Sequence, residues 1–378
     1  MNIYKFGLLV FSTTLLFNSF GVQEKFYAEE TVNITLDDIG ENIDIHSDLQ
    51  YQYLTSEDLT TTSGIAYGDK EISTPKSLPL TFSVSGATNL ILESYTIELS
   101  KDIDFYTIKT YDAIEEKIEV TNLEIGTTYY WRVHANYEGD ISYTSEISKF
   151  STSSLGPRNL NVPNVSNFRD LGGIKVAKGK RIKQGLIYRC GTLNQTFVNY
   201  QSNVATSEGR KILKEDLKIK TEIDLRHTDT TEHGDIVKSI MGSSINYYSL
   251  TMEYDVDDFL QYNKSMLRLA FTYLGNTDNY PLLMHCAIGT DRTGVVAYIL
   301  NALLGKSELD IEIDYLFSNF SSVYWQRSVN DIRNSTRTLK TYPGETLQQK
   351  AYNYLVDIGV KPSKLDTIID YCIEDFEE

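Results

Sequence analysis

The chain has 378 residues, of which 41% are hydrophobic, and this length is sufficient for two or three domains with separate cores. The formal net charge of −17 argues against a nucleic acid or an anionic membrane surface as the main partner. Three scattered cysteines are too few for a disulfide framework, so stability has to come from packed cores.

Residues 1–28 predict a secretory signal peptide. Lys5 supplies an early positive charge, residues 6–17 are mostly apolar, and Gly21 and Ala28 are the two expected cleavage points. The alternative is an uncleaved membrane tether, but the apolar stretch is shorter than the ~20 residues that a spanning helix requires. We therefore expect a secreted, extracellular bacterial protein with no transmembrane segment after cleavage.

Two segments with different sequence patterns follow the predicted signal peptide. Residues 29–72 are rich in Asp, Glu, Ser and Thr and lack a sustained period, which predicts a polar spacer or a few short strands. Residues 73–152 contain runs of alternating apolar and polar residues between turns, for example at 95–99 and 130–135. This spacing predicts an all-β sandwich.

Residues 123–133, Leu-Glu-Ile-Gly-Thr-Thr-Tyr-Tyr-Trp-Arg-Val, resemble the fibronectin type III pattern. In that pattern a tyrosine after the turn hydrogen-bonds back to the main chain, and the resemblance gives this role to Tyr129. The usual proline before the turn glycine is Ile125 here. Adhesion and a passive stalk are both open as roles, and we expect the stalk because no site is visible. Residues 153–160 contain Ser, Gly and Pro and predict a linker.

Residues 284–294, Met-His-Cys-Ala-Ile-Gly-Thr-Asp-Arg-Thr-Gly, lie between a short apolar run and an apolar segment suited to a buried helix. The pattern predicts a strand, a tight loop and a helix start, so that backbone N–H groups and the positive end of the helix dipole converge on one spot. We expect Cys286 to ionise there, because free N–H groups and a guanidinium favour the thiolate. The same groups would hold a phosphoryl group, with Arg292 as a bidentate fork.

These residues resemble the cysteine-dependent protein tyrosine phosphatase superfamily, whose signature is His-Cys, any five residues, Arg and Ser or Thr. Four further elements resemble the branch of secreted bacterial tyrosine phosphatases, with Cys190 in place of the usual serine in the second: Asn-Phe-Arg-Asp-Leu-Gly-Gly at 167–173, Tyr-Arg-Cys-Gly-Thr-Leu at 188–193, Ile-Asp-Leu-Arg at 223–226 and Asp-Tyr-Leu-Phe-Ser at 314–318. The resemblance covers residues 161–378 and implies an α/β catalytic domain with a central sheet flanked by helices.

The residues suggest a mechanism with a phosphocysteine intermediate. Cys286 would attack phosphorus while the loop N–H groups and Arg292 stabilise the charge on the transferred group. Thr293 would donate its hydroxyl to the sulfur. Neither a cofactor nor a metal is expected, because the histidines lack ligand spacing and covalent cysteine chemistry needs no metal. The expected substrate-binding residues are Ala287, Ile288, Gly289, Thr290, Asp291 and Arg292, and the expected supporting residues are His285, Arg169 and Asp170.

The leaving group also needs a proton from a carboxylic acid. Asp224 is the first candidate, because the related family takes its acid from the end of the Asp-Leu-Arg strand. Asp291, inside the loop, is the second candidate and Asp170 the third. Asp224 and Asp170 each have a structural alternative, since Asp224 is equally suited to an ion pair with Arg226 or Arg189 and Asp170 to capping the turn at Gly172 and Gly173.

Thr290 bears on the substrate. Members of the family that hydrolyse phosphoinositides carry a lysine there, so its absence favours a phosphotyrosyl protein or a small phosphorylated substrate over a phosphoinositide or inositol phosphate. A third hypothesis, an adhesion protein with a degenerate phosphatase domain, is disfavoured by the intact pair of Cys286 and Arg292. Cys190 adds the hypothesis of a reversible disulfide with Cys286, because reactive thiols oxidise readily.

Overall fold

A computed structural model describes residues 32–86, 89–196, 202–228, 238–254, 256–323 and 325–376. The predicted signal peptide lies outside these residues. None of the helices in the described ranges has the length and apolar character needed to span a bilayer. The described chain forms an N-terminal β-domain followed by a larger domain that mixes sheet and helix.

The N-terminal β-domain has two antiparallel sheets that share one core. Burial alternates along the longest strand, where Trp131, Val133 and Ala135 point inward, and this period of two is the one that the sequence predicts. The first sheet has the order β1-β2-β5 and the second β4-β3-β6-β7, with the last strand also pairing with β6. The strands are β1 Asn33–Leu36, β2 Leu78–Ser85, β3 Leu92–Ser100, β4 Lys109–Ala113, β5 Lys117–Val120, β6 Thr128–Tyr137, β7 Ile141–Thr144 and β8 Ser148–Ser151.

The segment 29–72 was expected to be a spacer or short strands, and its described part, residues 32–72, packs against both domains. Strand β1 pairs with β2 and extends the β-domain. A helix that the sequence analysis did not predict, α1 (Asp48–Leu54), begins at Ser47 with a reciprocal capping box to Gln50. Its buried Tyr53 packs against two phenylalanine rings of the second domain. A seven-residue helix is marginal alone, so this tertiary contact explains why composition did not reveal it.

The second domain is built on a six-stranded sheet of order β17-β16-β18-β13-β10-β9, in which the first four strands are parallel. The central strands are buried at every position, as continuous apolar runs such as Leu-Leu-Met at 282–284 require. Two smaller sheets, β11-β12-β19 and β14-β15, lie outside it. The strands are β9 Arg158–Asn159, β10 Arg169–Asp170, β11 Lys175–Ala177, β12 Lys180–Ile182, β13 Ile187–Cys190, β14 Asn194–Thr196, β15 Ser202–Val204, β16 Thr221–Asp224, β17 Asn246–Ser249, β18 Leu282–His285 and β19 Ile373–Asp375.

Helices cover the sheet and enclose two apolar clusters. The helix that follows β18 is buried at all twelve positions, which is typical of a helix at the centre of a domain. This arrangement matches the α/β domain that the resemblance implies. The helices are α2 Ser207–Lys211, α3 Phe259–Tyr262, α4 Lys264–Leu274, α5 Arg292–Leu303, α6 Glu308–Leu316, α7 Val329–Ser335, α8 Leu347–Asp357 and α9 Pro362–Cys372, with a π turn at Ile212–Asp216 and 3₁₀ turns at Thr277–Asn279, Phe317–Phe320 and Arg337–Thr341.

The expected linker, residues 153–160, is corrected by the structure, because it includes strand β9 of the main sheet. Arg158 is buried and donates to Asp170 at 2.8 Å. The same guanidinium donates to the carbonyls of Asn122 (2.6 Å) and Leu123 (2.8 Å) in the β-domain. A buried cation needs such partners, so the segment forms a seam between the domains rather than a free connection.

Candidate active site

The predicted strand, loop and helix start are present. Strand β18 ends at His285 and α5 begins at Arg292, so the six residues between them form a loop at the carboxyl end of the strand. The parallel strands β13 and β16 end on either side, with Cys190 and Asp224 both in register with His285. The carboxyl edge of a parallel sheet is the usual place for a ligand site. Cys286 and Arg292 stand at the two ends of this loop and are almost fully buried.

The loop peptides are held in one orientation from outside. Three consecutive carbonyls accept a hydrogen bond from elsewhere in the domain: Ala287 O from the Thr192 N–H (3.0 Å), Ile288 O from Asn167 Nδ2 (3.0 Å) and Gly289 O from Arg189 Nη2 (2.7 Å). Because C=O and N–H point in opposite directions in a trans peptide, the N–H groups of the same peptides face inward. No described residue accepts from these N–H groups. Together with the N-terminus of α5 they form an anion-binding cup.

Gly289 is required by this shape. Its φ is +73°, a left-handed conformation that favours glycine. A Cβ at this position would lie 2.3 Å from the carbonyl oxygen of Cys190. The close approach of the loop to strand β13 therefore depends on the absence of a side chain.

Behind the cup lies a buried charge network. Asp314 on α6 accepts from Arg169 Nε at 2.9 Å and from Arg189 Nη1 at 2.6 Å. Burial alone would raise the pKa of Asp314, but the two guanidinium groups outweigh it and hold this pKa well below the usual value. Arg169 also donates to Asn167, which in turn donates to Ile288 O, so a chain of hydrogen bonds runs from the charge network to the loop.

His285 also has a supporting position. Its Nε2 lies 3.0 Å from Glu222 Oε1 and 3.8 Å from Asp224 Oδ2, with all three side chains buried. Their ligand atoms lie within 4.8 Å of one another, a spacing that a metal ion could use. Arg226 is already bound to the Asp224 carboxylate at 2.5 Å, so we assign the cluster to charge pairing. Sequence analysis did not identify Glu222, because only the parallel register of β16 and β18 brings it to His285.

The structure places Asp224 in the ion pair with Arg226. Its two oxygens accept from the Arg226 main chain (3.0 Å), from Arg226 Nε and Nη2, and from the Tyr247 hydroxyl (2.8 Å). The carboxylate has no exposed surface. The lack of exposed surface argues against the expected role as general acid, because bulk water does not reach the carboxyl group directly.

Asp291 has a different environment. Its side chain keeps about a third of its exposure and forms a bidentate pair with Arg327, at 2.9 Å to Nε and 3.0 Å to Nη2. Asp170 lies on β10, where it binds Arg158 and accepts from the main-chain N–H groups of Gly172 and Gly185. Asp170 therefore has the capping role that was its alternative.

Two threonines of the loop region have buried side chains. Thr290 is fully buried, and its hydroxyl accepts from Asn167 Nδ2 at 3.3 Å. The Thr293 hydroxyl is buried without a hydrogen-bond partner among the described residues, so its expected bond to the Cys286 sulfur is absent from this structure.

The cysteines are free in the structure. Burial raises the pKa of the Cys190 thiol well above its usual value, and the nearby Glu222 carboxylate adds to the effect. Cys190 is therefore held as the neutral thiol beside the loop. The hypothesis of a disulfide with Cys286 stays untested.

An aromatic side chain that sequence analysis did not assign lies over the loop arginine. The Tyr254 ring centroid is 4.7 Å from Arg292 Cζ, within the range of a cation–π contact. The ring also meets His227 edge-on, and 55% of the residue is exposed. Tyr254 thus forms part of the rim of the cup.

Comparisons with known proteins found several that are similar to parts of this chain. The chain is 27% identical over 186 residues to a candidate tyrosine-protein phosphatase of Cupriavidus necator, and the match covers 43% of this chain and 64% of that relative. The core catalytic domain of the PP-IP phosphatase SIW14 from S. cerevisiae has 18% identity and a TM-score of 0.30, over 48% of this chain and 91% of that chain. TpbA from P. aeruginosa has 16% identity and a TM-score of 0.30, over 50% and 98%.

For the β-domain, the sixth fibronectin type III domain of a human protein has 20% identity and a TM-score of 0.20, over 23% of this chain and 83% of that chain. The structural scores are too low to bear on activity. The model of the tyrosine phosphatase family matches residues 160–377, which is more than half of the chain and includes every residue of the loop. The chain therefore belongs to the tyrosine phosphatase family.

Proposed function

We propose that the protein hydrolyses phosphate monoesters, with protein phosphotyrosine as the main substrate, through a phosphocysteine intermediate on Cys286. The observation that carries this proposal is the set of outward-tied carbonyls at 287–289. It leaves a ring of inward N–H donors between a cysteine and an arginine, at the start of a twelve-residue helix. Such a cup stabilises three phosphoryl oxygens before any reaction begins.

The reaction has two steps. In the first, the Cys286 sulfur forms a bond to phosphorus as the ester oxygen leaves and takes a proton from a carboxylic acid. In the second, water attacks phosphorus, the S–P bond breaks, and inorganic phosphate and the thiolate are released. Arg292 and the loop N–H groups hold the transferred phosphoryl group throughout both steps.

We propose Asp291 as the acid. It is next to Arg292 in the loop, and its partly exposed carboxyl group can receive a proton from water, whereas Asp224 is sealed in its pair with Arg226.

The rim of the cup supports an aryl phosphate. The exposed Tyr254 ring over Arg292 offers an apolar face on which a phenyl group can pack. Thr290 provides no second cation, and its side chain is turned toward Asn167. These features favour phosphotyrosine over a multiply phosphorylated inositol headgroup.

The test compares Cys286→Ser with Cys372→Ser, a matched change at a second buried free cysteine on α9. Activity is measured on a phosphotyrosyl peptide and on an inositol phosphate. We expect Cys286→Ser to lose at least about 1,000-fold in kcat/KM, since a nucleophile is removed, and Cys372→Ser to retain activity. Equal activity of the wild type and Cys286→Ser would overturn the proposal. Faster turnover of the inositol phosphate than of the peptide would show that phosphotyrosine is not the main substrate.

We further propose that the β-domain is of the fibronectin type III kind and serves as a stalk. Its support is the Tyr129 hydroxyl, which accepts from the main-chain N–H of Glu124 at 2.8 Å, the contact expected of a tyrosine corner. A crystal structure with a different strand order would contradict this assignment.

A further inference from the structure

The segment that precedes the second strand of the β-domain lies against the catalytic domain. We call residues 62–73 the strap. Its main chain exchanges hydrogen bonds with the loop after α6, from the Gly68 N–H to Asn319 O (3.0 Å), from the Val323 N–H to Gly68 O (3.0 Å) and from the Ile72 N–H to Phe320 O (2.7 Å). The strap is therefore joined to residues 319–323 much as an extra strand would be.

One strap side chain leads to the loop aspartate through two intermediates. The buried Thr62 hydroxyl accepts from Asn319 Nδ2 at 2.8 Å. The same Asn319 side chain accepts from the Arg327 N–H (2.7 Å) and donates to Arg327 O (2.8 Å). Arg327 in turn holds Asp291 by two hydrogen bonds. Among the described residues, Arg327 is the side chain that forms an ion pair with Asp291. Thr62 helps to hold the main chain of Arg327 in place through Asn319.

A second strap side chain reaches the other flank of the cup. Glu71 accepts from the Ser322 N–H at 3.1 Å, and the hydroxyl of the neighbouring Ser321 donates to Asn167 Oδ1 at 3.3 Å. Asn167 donates to Ile288 O and to Thr290. The strap therefore reaches the supports of the cup on both sides through hydrogen bonds.

We infer that the strap positions the catalytic loop, and that Thr62 is a positioning residue that acts on Asp291 through Asn319 and Arg327. This inference rests on the proposed phosphatase function and on Asp291 as the acid. Removing the Thr62 hydroxyl breaks the bond that anchors the Asn319 amide to the strap, so Arg327 and the carboxyl group that it orients are held less firmly.

The main test is a double-mutant cycle in the full chain with Thr62→Val and Asp291→Asn. We expect Thr62→Val to lower kcat for p-nitrophenyl phosphate roughly tenfold with KM nearly unchanged, a part of the ~10²–10⁴-fold that general acid catalysis supplies. In the Asp291→Asn background the same change should have little further effect. Thr62→Ser retains the hydroxyl and should restore kcat, and Thr61→Val, at the exposed neighbouring threonine, should behave as wild type. An undiminished Thr62→Val effect in the Asp291→Asn background would overturn the inference.

Hydrogen exchange of the amides in residues 286–292 gives a readout that does not depend on turnover. Thr62→Val should accelerate this exchange, whereas Thr61→Val should leave it unchanged. Unchanged exchange in Thr62→Val would overturn the inference even if the enzyme proved to have another activity. Failure of the proposed function itself would be seen in a different measurement, as phosphatase activity that does not depend on Cys286.

Discussion

Two aspartates beside the catalytic loop differ in their access to a proton. Asp224 is enclosed by Arg226 and Tyr247, and Asp291 faces Arg327 at a partly exposed position. In the sequence, Asp224 lies two residues before Arg226 and Asp291 lies directly before Arg292. The residue type alone therefore does not show which aspartate is the acid. Their surroundings do, because a general acid has to be reprotonated in every cycle.

We predict that Asp291→Asn removes the basic limb of the pH profile of kcat/KM, because that limb reports loss of the acid's proton. Asp224→Asn should keep the limb and instead lower the free energy of unfolding by about 3–5 kcal/mol, the usual cost of leaving one partner of a buried ion pair alone. The measurements are pH–rate profiles with p-nitrophenyl phosphate and unfolding in urea. An intact basic limb in Asp291→Asn would remove Asp291 from the mechanism.

Sequence could identify the residues whose partners are close in the chain. Cys286 and Arg292 were predicted because one loop contains both. Glu222 and Arg327 were not, since they lie 63 residues from His285 and 36 residues from Asp291. Nothing local to either residue indicates the contact, which depends on strand order and on the path of the loop after α6.

At the scale of elements, the catalytic loop is shaped by the strand beside it. Pattern alone predicted β18, the loop and α5, because a continuous apolar run, a glycine-containing turn and a second apolar run follow one another. The short elements α1 and β9 were not predicted. Helix α1 is stabilised by contact with Phe317, which is distant in sequence, and β9 is a two-residue strand, too short to show a repeating pattern before its pairing with β10 is known.

We predict that Gly289→Ala lowers kcat/KM about 100-fold, because the new Cβ would meet the Cys190 carbonyl and displace an N–H donor of the cup. The left-handed backbone adds a strain of about 1–3 kcal/mol. Gly179→Ala is the matched control, since its φ is also positive (+67°) but the Cβ would approach only one atom, at 3.9 Å. Steady-state kinetics and thermal unfolding separate the two effects. Similar losses of activity in both variants would contradict the role of the cup.

At the scale of the molecule, the buried charge network joins distant parts of the catalytic domain. Asp314 comes from α6, Arg169 from β10 and Arg189 from β13. The resemblance in sequence matched the three motifs that contain these residues, but it did not show that their side chains interact. In the structure they are one ionic cluster whose charge state depends on pH.

We predict that this cluster makes the fold sensitive to acid. The folded-state pKa of Asp314 is depressed, so its stabilisation is complete above the ordinary aspartate pKa of about 3.9 and is lost as the pH falls toward the folded-state value. The stability difference between wild type and Asp314→Asn should therefore be large at neutral pH and shrink near pH 3, as measured by urea unfolding. Asp375→Asn, which removes a solvent-exposed pair with Lys180, should change little at either pH. A difference that did not vary with pH would refute this account.

The seam at Arg158 limits how the protein can be divided. The region shared with the family starts at residue 160, so a fragment trimmed to that boundary would discard Arg158 and keep Asp170. The Asp170 carboxylate would then be buried without a counter-ion. The carbonyls of Asn122 and Leu123, which bind Arg158 in the full protein, would also be absent. A recombinant fragment of the catalytic domain should therefore begin before residue 158, or carry a neutral side chain in place of Asp170.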